Sequence, residues 1–328
     1  MKTCFELKHG SIAETGGEPA SILVYVAPDE LEKQHIMQVL ALDSYDLESA
    51  LDPEEISRVE FTPDRVFLIW KRPRSASFGE QLRLDVASLG FFLYQDRLTV
   101  IMSEPAIPFA AKEFQGVVSS IDVLLRFLLY TVRHYMAHLR VIKQLTIELE
   151  SKISSSMENR YLLQMFALSE SLIYYLNAIE ANGIVLTKLR GSVEKLGLSR
   201  PRIESLDDII LDNQQCARQA QIYSTVLSGL MDARGTIINN NMNVLLKNLT
   251  LINIIFLPLN LIAGILGMSE FSVMMRGVDL RLAYTIFSLA MVVIGWGTWL
   301  IIVWTLDKRK WNIKNRLHKL FSRGEGLR

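Results

Sequence analysis

The sequence predicts an α+β domain followed by long helices, the last of which continues into the first of two membrane-spanning helices. Three observations lead to this fold class. Short runs of β-forming residues, separated by Pro, Gly or charged residues, occupy the first third of the 328-residue chain. Apolar residues spaced three and four apart, the pattern of an amphipathic helix, follow from about residue 121. Two uncharged apolar stretches near the end, 249–268 and 282–306, are long enough to cross a bilayer core.

Residues 1–112 are predicted to form a mixed, partly antiparallel sheet with helices. Several of the β-type runs follow one another too closely for a helix to lie between them, so these neighbours must be antiparallel. One helix is expected over 30–51, with Asp29 as its N-cap. No glycine-rich phosphate loop and no nucleophile elbow occurs in this region, which argues against an enzyme. Strands are predicted over 21–27, 59–62, 66–70, 82–87, 90–94 and 98–102.

Residues 113–200 are predicted to form a helical hairpin. Its two long antiparallel helices are expected over 121–151 and 158–189, and the sequence between Gly191 and Pro201 ends the second one. His134 and His138 stand four residues apart on the first helix, a spacing that can bind Zn²⁺. The surrounding sequence lacks the Glu of a zinc-protease motif, so we interpret the two as surface histidines.

One face of the next predicted helix carries side chains that do not suit lipid. No helix breaker occurs from Ile203 until Pro258, so the stalk, 201–248, should be continuous with the first span, 249–268. Steps of three and four residues mark a polar stripe on this helix, at a period close to the 3.5 of helices wrapped around a shared axis. Buried amides inside a membrane need other helices or water as partners. The stripe consists of Asn239, Asn243, Leu246, Thr250, Asn253, Leu257, Asn260, Gly264 and Gly267.

The stripe predicts a pore-lining helix in a homo-oligomer. Neutral amide oxygens arranged in rings would bind the water shell of a hydrated cation with moderate strength, so that the ion can leave. In this interpretation Asn243, Asn253 and Asn260 form the rings, whereas Leu246 and Leu257 form apolar constrictions. The alternative is that the asparagines join helices by hydrogen bonds in a bundle that conducts nothing.

The end of the chain predicts its topology. The tail, 307–328, carries eight Lys or Arg against Asp307 and Glu325, so it is +6 and the remainder of this neutral chain is −6. A basic segment directly after an apolar span is typical of binding to anionic lipid on the cytosolic side, and no nucleic-acid partner is expected. Lys247 precedes the first span, so both termini should be cytosolic and the loop 269–281 external.

Residues 258–269, PLNLIAGILGMS, resemble the end of the first membrane helix of the CorA family of divalent-metal-ion transporters. That family carries Gly-Met-Asn where this chain has Gly267, Met268 and Ser269. The second span and the tail opening KRKW also resemble the family. The resemblance implies a funnel-shaped homopentamer of the inner membrane that transports Mg²⁺ without ATP or a cofactor, with both termini inside.

The resemblance also implies an ion entrance and a regulatory site. Gly264 lies near the outer mouth, and Gly267, Met268, Ser269 and Glu270 would form the entrance. Serine in place of asparagine offers a shorter donor, which leaves open Zn²⁺, Co²⁺ or Ni²⁺ transport, as in the family's zinc-transporting branch, or no conduction. In CorA-like proteins cytosolic Mg²⁺ bridges acidic residues between subunits and holds the pore shut. The candidates for this role are Asp207, Asp208, Asp212 and Asp232, although a charge cluster favoured by the helix dipole is an equal alternative for those at the helix start.

Overall fold

The contacts of the chain divide it into two compact units, Met1–Ala233 and Arg234–Arg328. The computed structural model describes residues 1–8, 10–17, 20–74, 77–78, 82–105, 108–109, 111–155, 159–268, 273, 277, 279, 281–282, 285–301 and 303–304.

The first unit is built on a seven-stranded mixed sheet in the order β2-β1-β3-β9-β8-β5-β4. All neighbours are antiparallel except β3 and β9, which are parallel. The prediction of a partly antiparallel sheet is therefore confirmed. The strands are β1 Lys2–Lys8, β2 Ser11–Thr15, β3 Ile22–Val26, β4 Arg58–Phe61, β5 Arg65–Pro73, β8 Val86–Tyr94 and β9 Arg97–Met102, with β6 Ser77–Phe78 and β7 Leu82–Arg83 pairing separately.

Two parts of the predicted strand pattern were wrong. No strand was predicted before residue 21, whereas β1 and β2 form a hairpin at one edge of the sheet. Charged and polar residues interrupt both strands, so neither contains a long run of β-forming apolar residues. The strand predicted over 82–87 is also wrong, because β7 ends at Arg83 and β8 begins at Val86 and takes in the run 90–94.

The predicted helix over 30–51 is two helices, α1 Glu30–Leu40 and α2 Ser44–Leu51. Asp29 caps α1 as predicted, in a capping box with Glu32. The break follows from Ala41, which has φ of 48°, and from Arg65, which donates to the Leu40 and Ala41 carbonyls at 2.7 and 2.6 Å. These bonds satisfy the carbonyls at the end of α1, and so the helix stops where the local sequence would allow it to continue.

Long helices follow the sheet along the chain, in agreement with the prediction. They are α3 Ser120–Ser155, α4 Asn159–Gly191 and α5 Arg200–Leu266, and the last contains Pro258. α3 and α4 are antiparallel: Lys152 approaches the Tyr161 ring near their connection, and further along Tyr135 contacts the Tyr175 ring at 5.1 Å. The hairpin and the uninterrupted helix through Pro258 are therefore confirmed.

One buried amide joins α4 to the sheet. β4 pairs with β5 only as far as Arg58 opposite Ile69, so the backbone of Lys71 extends beyond its neighbouring strand. Asn182 of α4 is fully buried, and its Oδ1 accepts from Lys71 N at 3.0 Å and from Ser57 Oγ at 2.7 Å. Its Nδ2 donates to the Lys71 carbonyl at 2.8 Å. The amide thus replaces the missing strand.

A charged clasp joins the first turns of α3 and α5. Arg202 Nε donates to Asp122 Oδ1 at 2.7 Å, and Arg202 Nη2 donates to Oδ2 at 3.0 Å. The same carboxylate caps α3 by accepting from the backbone N–H of Ser119 at 3.0 Å. Burial acts to raise the pKa of Asp122, but the hydrogen bonds from Arg202 and Ser119 outweigh it, and the pKa is lowered.

We expect Asp122→Ala to lower the free energy of unfolding by about 1.5 to 3 kcal/mol at neutral pH. Because the folded-state pKa is lowered, the carboxylate stabilises the fold above about pH 4, and this contribution is lost as pH falls through the folded pKa. Thermal unfolding of the detergent-solubilised chain between pH 7 and pH 3 should therefore show the two proteins converging at the acid end. Glu204→Gln, in an exposed pair with Arg200, is the control. A difference that does not shrink on acidification would contradict the assignment.

Candidate functional site

The two predicted membrane spans overlap the end of α5 and the helix that follows it. A stretch of α5, within Arg200–Ile265, is long and apolar enough to cross a membrane, and none of that window is buried inside the chain. Residues Thr285–Ile301 form a shorter apolar helix, α6, inside the predicted second span. Arg160–Gly191 passes the same test of length and composition, but 44% of its window is buried, as expected for a core helix against α3 and the sheet.

The two helices of the second unit pack through defined faces. The half-buried residues of α6 include Met291, Gly295 and Thr298, which share one helix face. Gly295 is in contact with α5, because a Cβ placed on it would lie 3.6 Å from Leu259 Cδ1. The half-buried residues of α5 around this contact are Leu251, Ile255, Pro258, Leu259 and Ile262.

The amide stripe lies on the opposite face of α5. At about 100° per residue, Asn253 and Leu257 are roughly 160° to 200° around the helix from Ile255. Asn243, Asn253 and Asn260 are exposed in the single chain, and Thr250 turns its hydroxyl to the Leu246 carbonyl at 2.8 Å. Within the described part of the second unit, α6 therefore packs away from the stripe.

The apolar and glycine members of the stripe are also open. Leu246 is 53% exposed and Leu257 is 71% exposed. A Cβ added at Gly264 would meet nothing within 4 Å. Helix α5 ends at Leu266, and the Gly267 N–H then donates to the Ala263 carbonyl at 3.0 Å. Met268 is 53% exposed, whereas Ser269 and Glu270 lie outside the described residues.

The predicted regulatory aspartates occupy different surroundings in the first unit. Asp207 binds the guanidinium of Arg190, with Nε to Oδ1 at 2.5 Å and Nη2 to Oδ2 at 3.1 Å. Asp208 and Asp232 are exposed, and Asp212 is half-buried. Among the described residues of one chain, no three His, Cys, Asp or Glu side chains are grouped so that they could hold a metal ion.

The interpretation of His134 and His138 as surface histidines was wrong. Both are half-buried, their rings are 4.5 Å apart, and His138 Nδ1 lies 2.6 Å from the Tyr175 hydroxyl on α4. Burial, with a smaller contribution from His134, lowers the pKa of His138 to about 4. Burial and the charge of Arg72 lower the pKa of His134 as well. The pair is therefore neutral at pH 7 and belongs to the packing of α3 on α4.

Sequence reasoning missed two contacts that organise these sites. The α6 packing face had a readable signal, since Met291, Gly295 and Thr298 follow the three-four spacing of one helix face. The pairing of Arg190 with Asp207 had none, because the two residues lie on different helices with a break between them.

Sequence comparison with known proteins found matches that cover most of the chain. Residues 20–309 match the family model described as CorA-like Mg²⁺ transporter protein. The cobalt/magnesium transport protein CorA of Methanocaldococcus jannaschii is 26% identical over 280 residues, which cover 80% of this chain and 86% of that protein.

Solved structures agree with the fold described above. The complete structure of the CorA magnesium transporter from Methanocaldococcus jannaschii matches with a TM-score of 0.73 at 21% identity, covering 92% of this chain and 96% of that one. The cytoplasmic domain of ZntB from Vibrio parahaemolyticus matches with a TM-score of 0.57 at 14% identity, covering 73% and 98%. At these identities the matches establish the fold, and they confirm the predicted fold class of mixed sheet and long helices.

Proposed function

The chain belongs to the CorA-like Mg²⁺ transporter family, and from that premise we propose that it conducts divalent cations, Mg²⁺ first, through a pore lined by α5. Members of this family are transporters and not enzymes. The observation that carries the proposal is the exposed amide stripe on the face of α5 opposite α6. A helix that packs Leu259 against Gly295 and leaves Asn253 and Asn260 exposed has a polar face for identical neighbours or for water.

The chemistry of the stripe suits a hydrated divalent cation. Mg²⁺ prefers six oxygen ligands and usually keeps several of its waters, so a pore needs acceptors for those waters more than it needs charge. Asn243, Asn253 and Asn260 provide neutral carbonyl oxygens, which bind with moderate strength and let the ion leave. The exposed Leu246 and Leu257 between them would gate by excluding water.

The pore requires several copies of the chain around one axis. One stripe supplies one amide at each level, and a ring needs identical neighbours. We propose a homopentamer in the inner membrane, with both termini in the cytosol and the basic tail 307–328 against anionic lipid. The transported ion is also the proposed regulatory ion, and no other cofactor is required.

We further propose that cytosolic cations close the pore by bridging subunits. Since no group of three ligands occurs among the described residues of one chain, a site that uses Asp207, Asp208, Asp212 or Asp232 would take ligands from two copies. A bound cation removes the repulsion between carboxylates that face each other. Loss of the ion would then favour the conducting arrangement.

This proposal and its alternatives differ mainly in which ion, if any, is transported. Ser269 stands where the family signature has asparagine, which leaves open transport of Zn²⁺, Co²⁺ or Ni²⁺ and also a CorA-like membrane module that conducts nothing. Uptake of Mg²⁺, Zn²⁺, Co²⁺ and Ni²⁺ into proteoliposomes that contain the purified chain distinguishes Mg²⁺ transport, transport of another divalent ion, and no conduction. Uptake of none of the four ions would support the non-conducting alternative.

We expect Ser269→Asn to raise Mg²⁺ uptake relative to Zn²⁺ uptake by about two- to tenfold, the effect of one added hydrogen bond per subunit to the hydrated ion. The measurement is initial uptake of both ions by the same vesicle preparation. Ser272→Asn, a matched change in the same external loop, is the control. An equal Mg²⁺ to Zn²⁺ ratio in all three proteins would show that this position does not select the ion.

A further inference from the structure

The carboxylate of Asp207 is already bound on both oxygens by its own chain. Arg190 lies in the last turn of α4, and Asp207 lies in the second turn of α5. The guanidinium donates from Nε to Oδ1 at 2.5 Å and from Nη2 to Oδ2 at 3.1 Å, which is the paired geometry of a bidentate Arg–carboxylate contact. The pair is accessible, with side-chain exposures of 41% for Arg190 and 48% for Asp207.

Arginine and a divalent cation cannot both use these oxygens fully. Each oxygen keeps a second lone pair, but a cation that coordinates Asp207 brings a second positive charge next to the guanidinium, and the two charges repel each other. The ion pair itself is weak enough to be displaced, because exposed pairs of this kind change an equilibrium by about two- to fivefold. It therefore shifts cation binding without preventing it.

We propose that Arg190 competes with the regulatory divalent cation for Asp207 and so sets the cytosolic concentration at which the transporter closes. This inference rests on the proposed function, in which Asp207 contributes to a cation site. Without the ion, Asp207 holds the start of α5 to the end of α4. With the ion, a metal–carboxylate bond forms at the expense of this ion pair between the two helix ends.

A neighbouring pair in the same helix provides a matched control. Arg200 Nε donates to Glu204 Oε1 at 3.3 Å, four residues along α5, and both side chains are more exposed than the Arg190–Asp207 pair. Arg200→Gln removes the same charge from the same region, and this pair does not include Asp207. A general effect of charge would move both variants equally, whereas competition at Asp207 moves only Arg190→Gln.

The test uses the full-length chain in detergent at constant ionic strength. Limited proteolysis is measured as a function of Mg²⁺ concentration for wild type, Arg190→Gln, Arg200→Gln, Asp207→Asn and the double variant Arg190→Gln/Asp207→Asn. We expect the Mg²⁺ concentration for half-maximal protection to fall about two- to fivefold in Arg190→Gln and to stay unchanged in Arg200→Gln. In the double variant the effect of Arg190→Gln should vanish.

Several outcomes would overturn the inference. One is an unchanged midpoint in Arg190→Gln; another is an equal shift in Arg200→Gln; a third is a shift that persists in the Asp207→Asn background. Because protection needs no ion flux, the result is separable from the proposed function. Transport without the Arg190 shift refutes only the competition, and the Arg190 shift without transport refutes only the conducting role.

Discussion

Asn260→Leu is expected to reduce Mg²⁺ uptake into proteoliposomes by about ten- to a hundredfold, the cost of one lost hydrogen bond to a charged partner. The substitution replaces an exposed amide on the stripe with an apolar side chain of similar size. In a ring of identical subunits it removes every acceptor at that level and adds an apolar constriction in its place. Asn253→Leu should act in the same direction about two helical turns earlier.

The control for this prediction is Asn248→Leu. Asn248 lies on the same helix and is exposed, but it is off the stripe, about 140° around the helix from Asn253. We expect its uptake to stay within about twofold of wild type, since substitutions away from specific contacts have small effects. Equal losses of uptake in Asn248→Leu and Asn260→Leu would mean that the helix tolerates no such change at any exposed position. The stripe would then have no specific role in uptake.

The same variants separate a pore from a bundle held together by amides. If Asn253 and Asn260 only join helices, Asn260→Leu should lower the mass of the detergent-solubilised oligomer, measured by light scattering, together with any activity. If they line a conduit, the mass should stay constant while uptake falls. An unchanged mass with unchanged uptake would mean that the stripe neither lines the conduit nor joins the helices.

Local patterns accounted for the parts of the fold that depend on neighbours in the chain. The cap at Asp29 was predictable because its partner Glu32 is three residues away. The break at Ala41 was not, because the side chain that satisfies the helix end, Arg65, comes from 24 residues further along. The hairpin of β1 and β2 was missed for a different reason. Polar and charged residues interrupt both strands, which lie at the sheet edge, so neither strand contains a long apolar run.

In the candidate site too, local patterns predicted some features, whereas tertiary contacts determine the others. Periodicity predicted which residues share the stripe, since a helix fixes their relative angles. Whether α6 covers that face or the other one depends on where Gly295 meets Leu259, a contact between helices that no local pattern specifies. The pairing of Arg190 with Asp207 is likewise a tertiary contact, and it changes the chemistry expected of a carboxylate that the sequence presents as unpaired.

Asn182→Leu is expected to destabilise the first unit by about 3 to 9 kcal/mol, because it leaves three buried partners unsatisfied at roughly 1 to 3 kcal/mol each. These are the N–H and the carbonyl of Lys71 and the hydroxyl of Ser57. The loss is a large fraction of the 5 to 15 kcal/mol typical of a folded domain. Leucine has the branched shape of asparagine and is not smaller, so the effect would come from lost hydrogen bonds and not from a cavity.

Urea unfolding followed by tryptophan fluorescence measures this loss, because Trp70 is fully buried on the strand that Asn182 contacts. Asn177→Leu is the matched control, since Asn177 is an exposed residue five positions earlier on α4. Its free energy of unfolding should change by less than about 0.5 kcal/mol. If the two variants unfold at the same urea concentration, Asn182 does not carry the attachment of α4 to β5, and the apolar packing of the two elements must be sufficient to hold them together.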